Sequence, residues 1–522
     1  MVALMNISDI ILPGLLPTLC FAGVLFFFFI KNGYMRKRSL SQGLGDSSLN
    51  LIPLNEKILI LILILCAVGL SIPLINRGLI YDELHLATHY VLNNHFWFAM
   101  KNDEPMKNHL GYSILAYFSY NIFGKAEWVF RLPALLFGLG NIVILWYLTR
   151  RVLGGGFALM AAALLAFSPP NIIWSSSARG YSALVFFSIL STYQYFYLLK
   201  GYKKTNFWSF IATNIIGLSF HFFFVFIILT QGAHILWLFV IQKIKKTNSV
   251  AEFELFKILK ALSITIVLSS LIYIPIFFSS YHGVIKGGFI PKFPLDMLSD
   301  LLDIKFNMIG IGEGLLAIIG WLFLRNTFRL QWSYLNILFI FSLLIWLSHP
   351  EILCSRYFGY LLPFLFLLIV VGAYYFLELS PNRLYPYTLG LVIVALTLIV
   401  WQWQSKPAKL VEDFKCYYRE AVEFAQKNSD NQTHFCAFGN EDGFFQFYSH
   451  EPVSTFQTFD DFLSFYKQGG NIFCFAIMGP PMTIEHKKIF IFLINNAQER
   501  NFDDIIVFYL KGGMAYNDPF KT

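Results

Sequence analysis

The chain has 522 residues, of which 57% are hydrophobic, 18% aromatic and only 13% charged. A water-soluble domain carries roughly 25% charged residues, so this composition excludes a chain that faces water over most of its length. The formal charge of +8 sits mostly on Lys and Arg in short loops, which marks membrane topology rather than a nucleic-acid surface.

Apolar runs of about twenty residues recur through the first three quarters of the chain, each long enough to cross a bilayer. The spans predicted in chain order are 9–30, 57–76, 132–151, 154–170, 181–200, 206–220, 221–242, 258–279, 311–324, 331–348, 357–378 and 385–403. That gives about twelve transmembrane helices, with the run 206–242 split at His221. The first run lacks a preceding basic segment and is too long for a signal core, so it reads as an anchor. A basic linker carries the chain from it to residue 56.

Lys and Arg set the orientation. Lys31, Arg36, Lys37 and Arg38, then Arg150 and Arg151, then Lys200, Lys203 and Lys204 fall in alternate, short connections. Lys243, Lys245, Lys246 and Lys257, then Arg325 and Arg329, then Arg383 continue the same side, which is therefore cytoplasmic. The connections 77–131, 171–180, 280–310 and 349–356 face outward, and so does everything after the last span.

The tail, 404–522, changes composition and reads as a small soluble α/β domain on the outward side. Val411, Phe414, Tyr418, Val422 and Ala425 share a helical face. The runs "THFCAFG", "PVSTFQT", "NIFCFAIMG" and "DDIIVFYLKG" read as strands of a mainly parallel sheet, with "IEHKKIFIFLINNAQE" helical between them. No glycine-rich phosphate loop accompanies them, so no nucleotide cofactor is expected. Cys416, Cys436 and Cys474 in the tail allow at most one disulfide, whose pair the sequence does not name.

Candidate functional residues gather on the outward side. The first outward loop is far longer than a connection requires, and long loops are usually functional or disordered. It opens with "YDELHLATHY" and holds Asp82, Glu83, His85, His89, Asp103, Glu104, Lys107 and His109. Two readings of Asp82–Glu83 stand side by side: carboxylates that favour a helix N-terminus, or a general base at the membrane edge. His85 and His89 are four apart on one helical face, a spacing open to a divalent metal together with Asp82, Glu83 and His109, or to solvated interfacial histidines. Arg179 with Tyr181, and Arg356 with Tyr357, each open a span at its outward end. Either arginine alone reads as a snorkelling side chain. With Lys107 they make three cations suited to a phosphorylated lipid head group.

The order of these residues resembles the protein O-mannosyltransferase and lipid A aminoarabinose transferase superfamily, GT-C-type glycosyltransferases of the family 39-like kind. The resemblance is carried by "YDELHLATHYVLNN", "EPMKNHLGYSILAYFSYNIFG", "EWVFRLPALLFGLGNIVILWYLTRR", "SPPNIIWSSSARGYSALVF" and "SRYFGYLLPFLFLLIVVGA". It covers 57–403, most strongly 77–200. Lys107 with Leu110–Gly111–Tyr112, and Arg131–Leu132–Pro133, fall at the family's positions; Asn108–His109 stands where the family has a proline pair.

The resemblance implies a GT-C-like transmembrane catalytic domain at 57–403, with 1–56 an added anchor and linker. It implies a polyprenyl-phosphate-linked sugar donor, such as an undecaprenyl phosphate carrier, and a glycolipid, glycan or protein acceptor. Lys107, Arg179 and Arg356, with Tyr181 and Tyr357, would hold the donor phosphate. Asp82 would be the general base of an inverting transfer, assisted by Glu83. The expected place is the inner membrane of a bacterium, with the site facing the periplasm and no nucleic-acid partner. Two other functions are compatible with twelve spans: a secondary transporter or flippase of lipid-linked sugar, and an inactive relative that only binds lipid-linked glycan. A transporter calls for midplane ions and internal repeats, whereas the informative ions here cluster at one face and no repeat is seen.

Overall fold

The structure, a computed structural model, describes residues 17–24, 53–92, 109–201, 204–246, 250–280, 308–348, 355–381, 384–404, 417–438, 444–477, 483–502 and 505–511. Lys107, Asp103, Glu104, Cys354, Val411, Phe414, Cys416 and most of the expected first span lie outside the described residues. The chain divides into two compact units. One comprises 1–75, 101–119 and 131–411; the other comprises 76–100, 120–130 and 412–522.

Among the described residues the first unit holds helices and no strand. Among the described residues six helices are long and apolar enough to cross a membrane: Leu54–Ile75, Glu127–Arg151, Tyr181–Lys200, Phe222–Lys245, Arg329–Ser348 and Arg356–Leu379. A bent pair, Gly155–Phe167 and Pro169–Ser175, would make a seventh. Helices Lys204–Phe220, Glu252–Ser280, Met308–Thr327 and Tyr385–Gln404 occupy further expected spans. Large apolar side chains such as Leu61, Leu65, Leu271 and Ile318 are exposed, as a lipid-facing surface requires.

Local chemistry explains the breaks. Ser168, which precedes Pro169–Pro170, is extended (φ −72°, ψ 130°), because a following proline disfavours the helical region. The two helices flanking it bend by 62°. The expected split at His221 is present: one helix ends at Phe220, His221 is extended (φ −160°, ψ 126°), and a 3₁₀ turn starts at Phe222. The fully buried Arg131 donates through Nη1 to the Ile75 carbonyl at 2.8 Å, satisfying an orphan acceptor at a helix C-terminus.

Helix Met308–Thr327 packs in the same direction along Leu362–Leu379, with Arg329–Ser348 the return between them. Phe323 meets Tyr375 at 4.7 Å, and Gly320 and Gly372 let the backbones touch: a methyl on either would stand about 2 Å from a carbonyl oxygen of the other helix. Buried polar groups join other helices. Tyr195 Oη meets His234 Nδ1 at 2.7 Å, His234 Nε2 meets Ser333 Oγ at 2.8 Å, and Thr192 meets Tyr334 at 3.1 Å.

The second unit is built on a five-stranded sheet: β1 Thr433–Phe438, β2 Val453–Thr455, β3 Asn471–Ile477, β4 Gln498–Phe502 and β5 Ile505–Leu510, in the order β2-β1-β3-β5-β4. The sheet is mixed and not mainly parallel. β1 is parallel to β2 and β3, whereas β5 is antiparallel to both β3 and β4. The edge strand "QERNF" was legible only as the end of a helix, because its side chains are almost all polar and exposed. Phe438, Phe462, Phe492 and Phe508 fill the core between the sheet and helices Phe459–Tyr466 and Ile484–Asn496. Cys436 and Cys474 lie side by side in register as free, buried thiols.

Gly372→Ala forces a methyl against the Leu316 carbonyl oxygen and is expected to cost about 1–3 kcal/mol, seen as a lower Tm of the detergent-purified protein. Gly390→Ala, into open space on its helix, is expected to leave Tm unchanged or raise it. An equal fall in both variants would contradict the close helix packing.

Candidate active site

The first unit brings five of the sequence-predicted residues together: Arg179, Tyr181, Arg356, Tyr357 and His109. Arg179 follows the broken helix at Pro169–Ser175 and precedes helix Tyr181–Lys200, so it sits on a short non-helical turn. Its side chain is buried. Arg356 and Tyr357 lie on the 3₁₀ segment Ser355–Leu361, which leads into helix Leu362–Leu379. The Arg356 guanidinium carbon is 5.7 Å from the ring of Tyr181 and 5.7 Å from that of Tyr357, a cation–π geometry with two aromatic faces.

Two histidines complete this cluster. The His109 ring is 5.6 Å from Tyr181 and 4.8 Å from His221; His221 is 5.2 Å from Tyr181 and 6.1 Å from Tyr357. Arg179 and Arg356 lie close enough to act electrostatically on both imidazoles. Burial, and after it the guanidinium of Arg179, holds the His109 imidazole well below its ordinary pKa, so the ring is neutral near pH 7. His109 thus stands with the arginines, where a neutral ring adds hydrogen-bonding capacity without adding positive charge.

A glycine sets this geometry. His109 Nδ1 donates to the Phe220 carbonyl at 3.0 Å. The same carbonyl would lie 2.1 Å from a methyl on Gly180, so only glycine admits the turn that carries Arg179 past it.

The carboxylates belong to the second unit, where their surroundings differ. Helix Tyr81–His85 begins at Ile80, and the buried Glu83 accepts the Ile80 N–H at 3.0 Å through Oε2. Its other oxygen is 3.9 Å from Arg77. Glu83 therefore ties down the start of this helix, the capping arrangement that sequence reasoning held open. Asp82 is only partly buried. His85 and His89 stack face to face, with centroids 4.2 Å apart and planes at 14°, which turns ring faces rather than nitrogens toward each other. Among the described residues no three His, Cys, Asp or Glu side chains gather as a metal ion would require.

The tail holds the Asp82 segment. Leu79 N–H donates to the Tyr448 hydroxyl at 2.7 Å, and Arg419 donates to the Asn76 carbonyl and to Glu127 at 3.1 and 3.0 Å. Phe444 packs on Tyr81, His89 and Tyr418, and Phe447 on Phe130.

Sequence reasoning missed His221 as a functional residue, although an imidazole that interrupts an apolar run was its signal. It also passed over Glu313, fully buried within helix Met308–Thr327; an ionisable residue inside a membrane helix is itself a functional signal.

Gly180→Ala is expected to displace the Phe220–His109 contact and cost about 1–3 kcal/mol. His109→Gln on that background is expected to add little, because both changes strike one interaction. Fully additive losses in thermal-unfolding measurements would contradict the coupling.

Residues 107–273 match the family described as dolichyl-phosphate-mannose-protein mannosyltransferase. Among curated proteins none matches the sequence. The fold is similar to that of ArnT from Cupriavidus metallidurans bound to undecaprenyl phosphate, at 14% identity and a TM-score of 0.55, over 86% of this chain and 97% of that one. The same protein in its apo state gives a TM-score of 0.54 at 12% identity, over 87% and 98% of the two chains. The archaeal oligosaccharyltransferase AglB from Archaeoglobus fulgidus, in complex with an inhibitory peptide and a dolichol-phosphate, gives 0.50 at 12% identity, over 81% and 70%. At these identities the structural likeness speaks for the fold. The chain is a membrane protein whose residues 107–273 are similar to that mannosyltransferase family and whose fold is similar to that of ArnT, in line with the resemblance of its motifs to the protein O-mannosyltransferase and lipid A aminoarabinose transferase superfamily.

Proposed function

We propose that the chain transfers a sugar from a polyprenyl-phosphate carrier to an acceptor outside the cytoplasm, with inversion at the anomeric carbon. The observation that carries this reading is the cluster of Arg179, Arg356, Tyr181 and Tyr357 in the membrane unit. In such a donor the bond from the anomeric carbon to the phosphate oxygen breaks, and the lipid phosphate leaves with an added negative charge. Fixed cations contribute most where charge develops in the transition state. Arginine is suited to this task by its planar, permanently charged fork. ArnT and AglB, whose structures contain undecaprenyl phosphate and dolichol-phosphate, support a lipid phosphate as the group held here, and Lys107 would add a third cation.

Asp82 is assigned the role of general base, taking the proton of the acceptor hydroxyl as it attacks an oxocarbenium-like carbon. Glu83, engaged by Ile80 and Arg77, positions the short helix that carries Asp82. The tail steadies the same segment through Tyr448 and Arg419. The acceptor is a glycolipid, another glycan or a protein, and the charges of the loops support a reaction on the periplasmic face.

Asp82→Asn in membranes supplied with radiolabelled undecaprenyl-phosphate sugar is expected to lower transfer by about 100-fold or more, the usual range for a lost general base. Transfer at the wild-type rate would remove Asp82 from that role. Arg356→Ala is expected to weaken undecaprenyl phosphate binding by roughly 10-fold or more, the loss of a charge-assisted hydrogen bond. Unchanged affinity would remove Arg356 from the phosphate site.

A further inference from the structure

Three buried polar atoms in the arginine cluster have no hydrogen-bond partner among the described residues: His109 Nε2, His221 Nε2 and the Tyr181 hydroxyl. Their residues are 5%, 4% and 3% exposed, and their rings stand 4.8–5.6 Å apart, centroid to centroid. Buried polar atoms are rarely left in this state, and each calls for an explanation.

The partnered nitrogens fix what the other two can do. The carbonyl oxygen of Phe220 can only accept, so His109 Nδ1 carries the proton and Nε2 of the neutral ring is an acceptor. His221 is the reverse. Its Nδ1 accepts the Phe223 N–H at 3.2 Å, which leaves the proton on Nε2 as a donor. Two adjacent imidazoles are thus held in opposite tautomers, and the pair offers one donor and one acceptor.

That combination selects its ligand. A phosphate dianion or a carboxylate only accepts, and an ammonium only donates; a hydroxyl does both. Because Arg179 and Arg356 act on both rings, the hydroxyl must belong to something held beside the phosphate. In a sugar 1-phosphate the carbon next to the phosphate-bearing carbon is C2. We propose that His109 and His221 form a hydroxyl-reading subsite for the C2 hydroxyl of the donor sugar, with Tyr181 as its third contact. This rests on the reading of the arginines as the donor-phosphate site. A site built to hydrogen-bond a hydroxyl rejects the analogue that lacks it, because its own polar groups are then left buried and unpaired.

The test uses the purified full chain and four lipids: undecaprenyl phosphate, its glucosyl and mannosyl derivatives, and the 2-deoxyglucosyl derivative, which is the deoxy form of both. Wild type is expected to bind at least one of the two hexosyl lipids about tenfold more tightly than the 2-deoxy lipid, as one to two hydrogen bonds allow. His221→Asn, whose carboxamide can still accept the Phe223 N–H, and His109→Gln are each expected to bring that ratio within twofold while undecaprenyl phosphate binds as before. Equal binding of all three sugar lipids by wild type would mean that the cluster holds a water only, and would overturn the subsite. So would full discrimination in both variants, or a collapse of undecaprenyl phosphate binding in both, which would make the histidines structural. Failure of wild type to bind undecaprenyl phosphate would instead sink the phosphate reading.

Discussion

Two guanidinium groups sharing one buried aromatic cluster impose the constraint on which the membrane unit depends. Like charges at the edge of a low-dielectric bundle repel, and their desolvation is expensive. The surroundings answer this with ring faces and neutral imidazoles. Tyr181 and Tyr357 flank Arg356, while His109 is held neutral by burial and by the charge of Arg179. Fixed positive charge in such a setting is the basis of the proposed phosphate site. The breaks in the helices serve the same end. Pro169–Pro170 and Gly180 deliver Arg179 on a turn, and the extended His221 ends a helix so that the Phe220 carbonyl is free to hold His109.

The second unit answers a different constraint. A five-residue helix, Tyr81–His85, followed by a π-helical turn at Leu86–Val91, cannot hold itself in place, because helices this short are unstable alone. The tail supplies what is missing. Its sheet has a full core of its own, and Tyr448, Phe444 and Arg419 reach from it to Leu79, Tyr81 and Asn76. The two adjacent carboxylates then part company. Glu83 holds the helix start through the Ile80 N–H, and Asp82, beside it, is only partly buried.

Much of this was legible in the sequence, for physical reasons that differ by residue. Either of Arg179 and Arg356 alone reads as a snorkelling side chain; their shared outward side suggested a cluster, and the structure brings both beside Tyr181 and the two histidines. The apolar periods gave the helices and the break at His221. What stayed hidden depended on partners distant in the chain. Nothing around His221 indicated that its ring would meet His109, more than a hundred positions earlier. Neither could the opposite tautomers be foreseen, since they follow from the carbonyl of Phe220 and the amide of Phe223. The mixed sheet was missed because β4 is an exposed polar edge with no alternation to reveal it.

The central claim is that Arg179 and Arg356 together receive a lipid-linked phosphate. A cryo-EM map of the purified chain with undecaprenyl phosphate tests it most directly. The account predicts phosphate density against both guanidinium groups, beside Tyr181 and Tyr357. Phosphate density elsewhere in the chain, with that cluster unchanged from the lipid-free map, would contradict it.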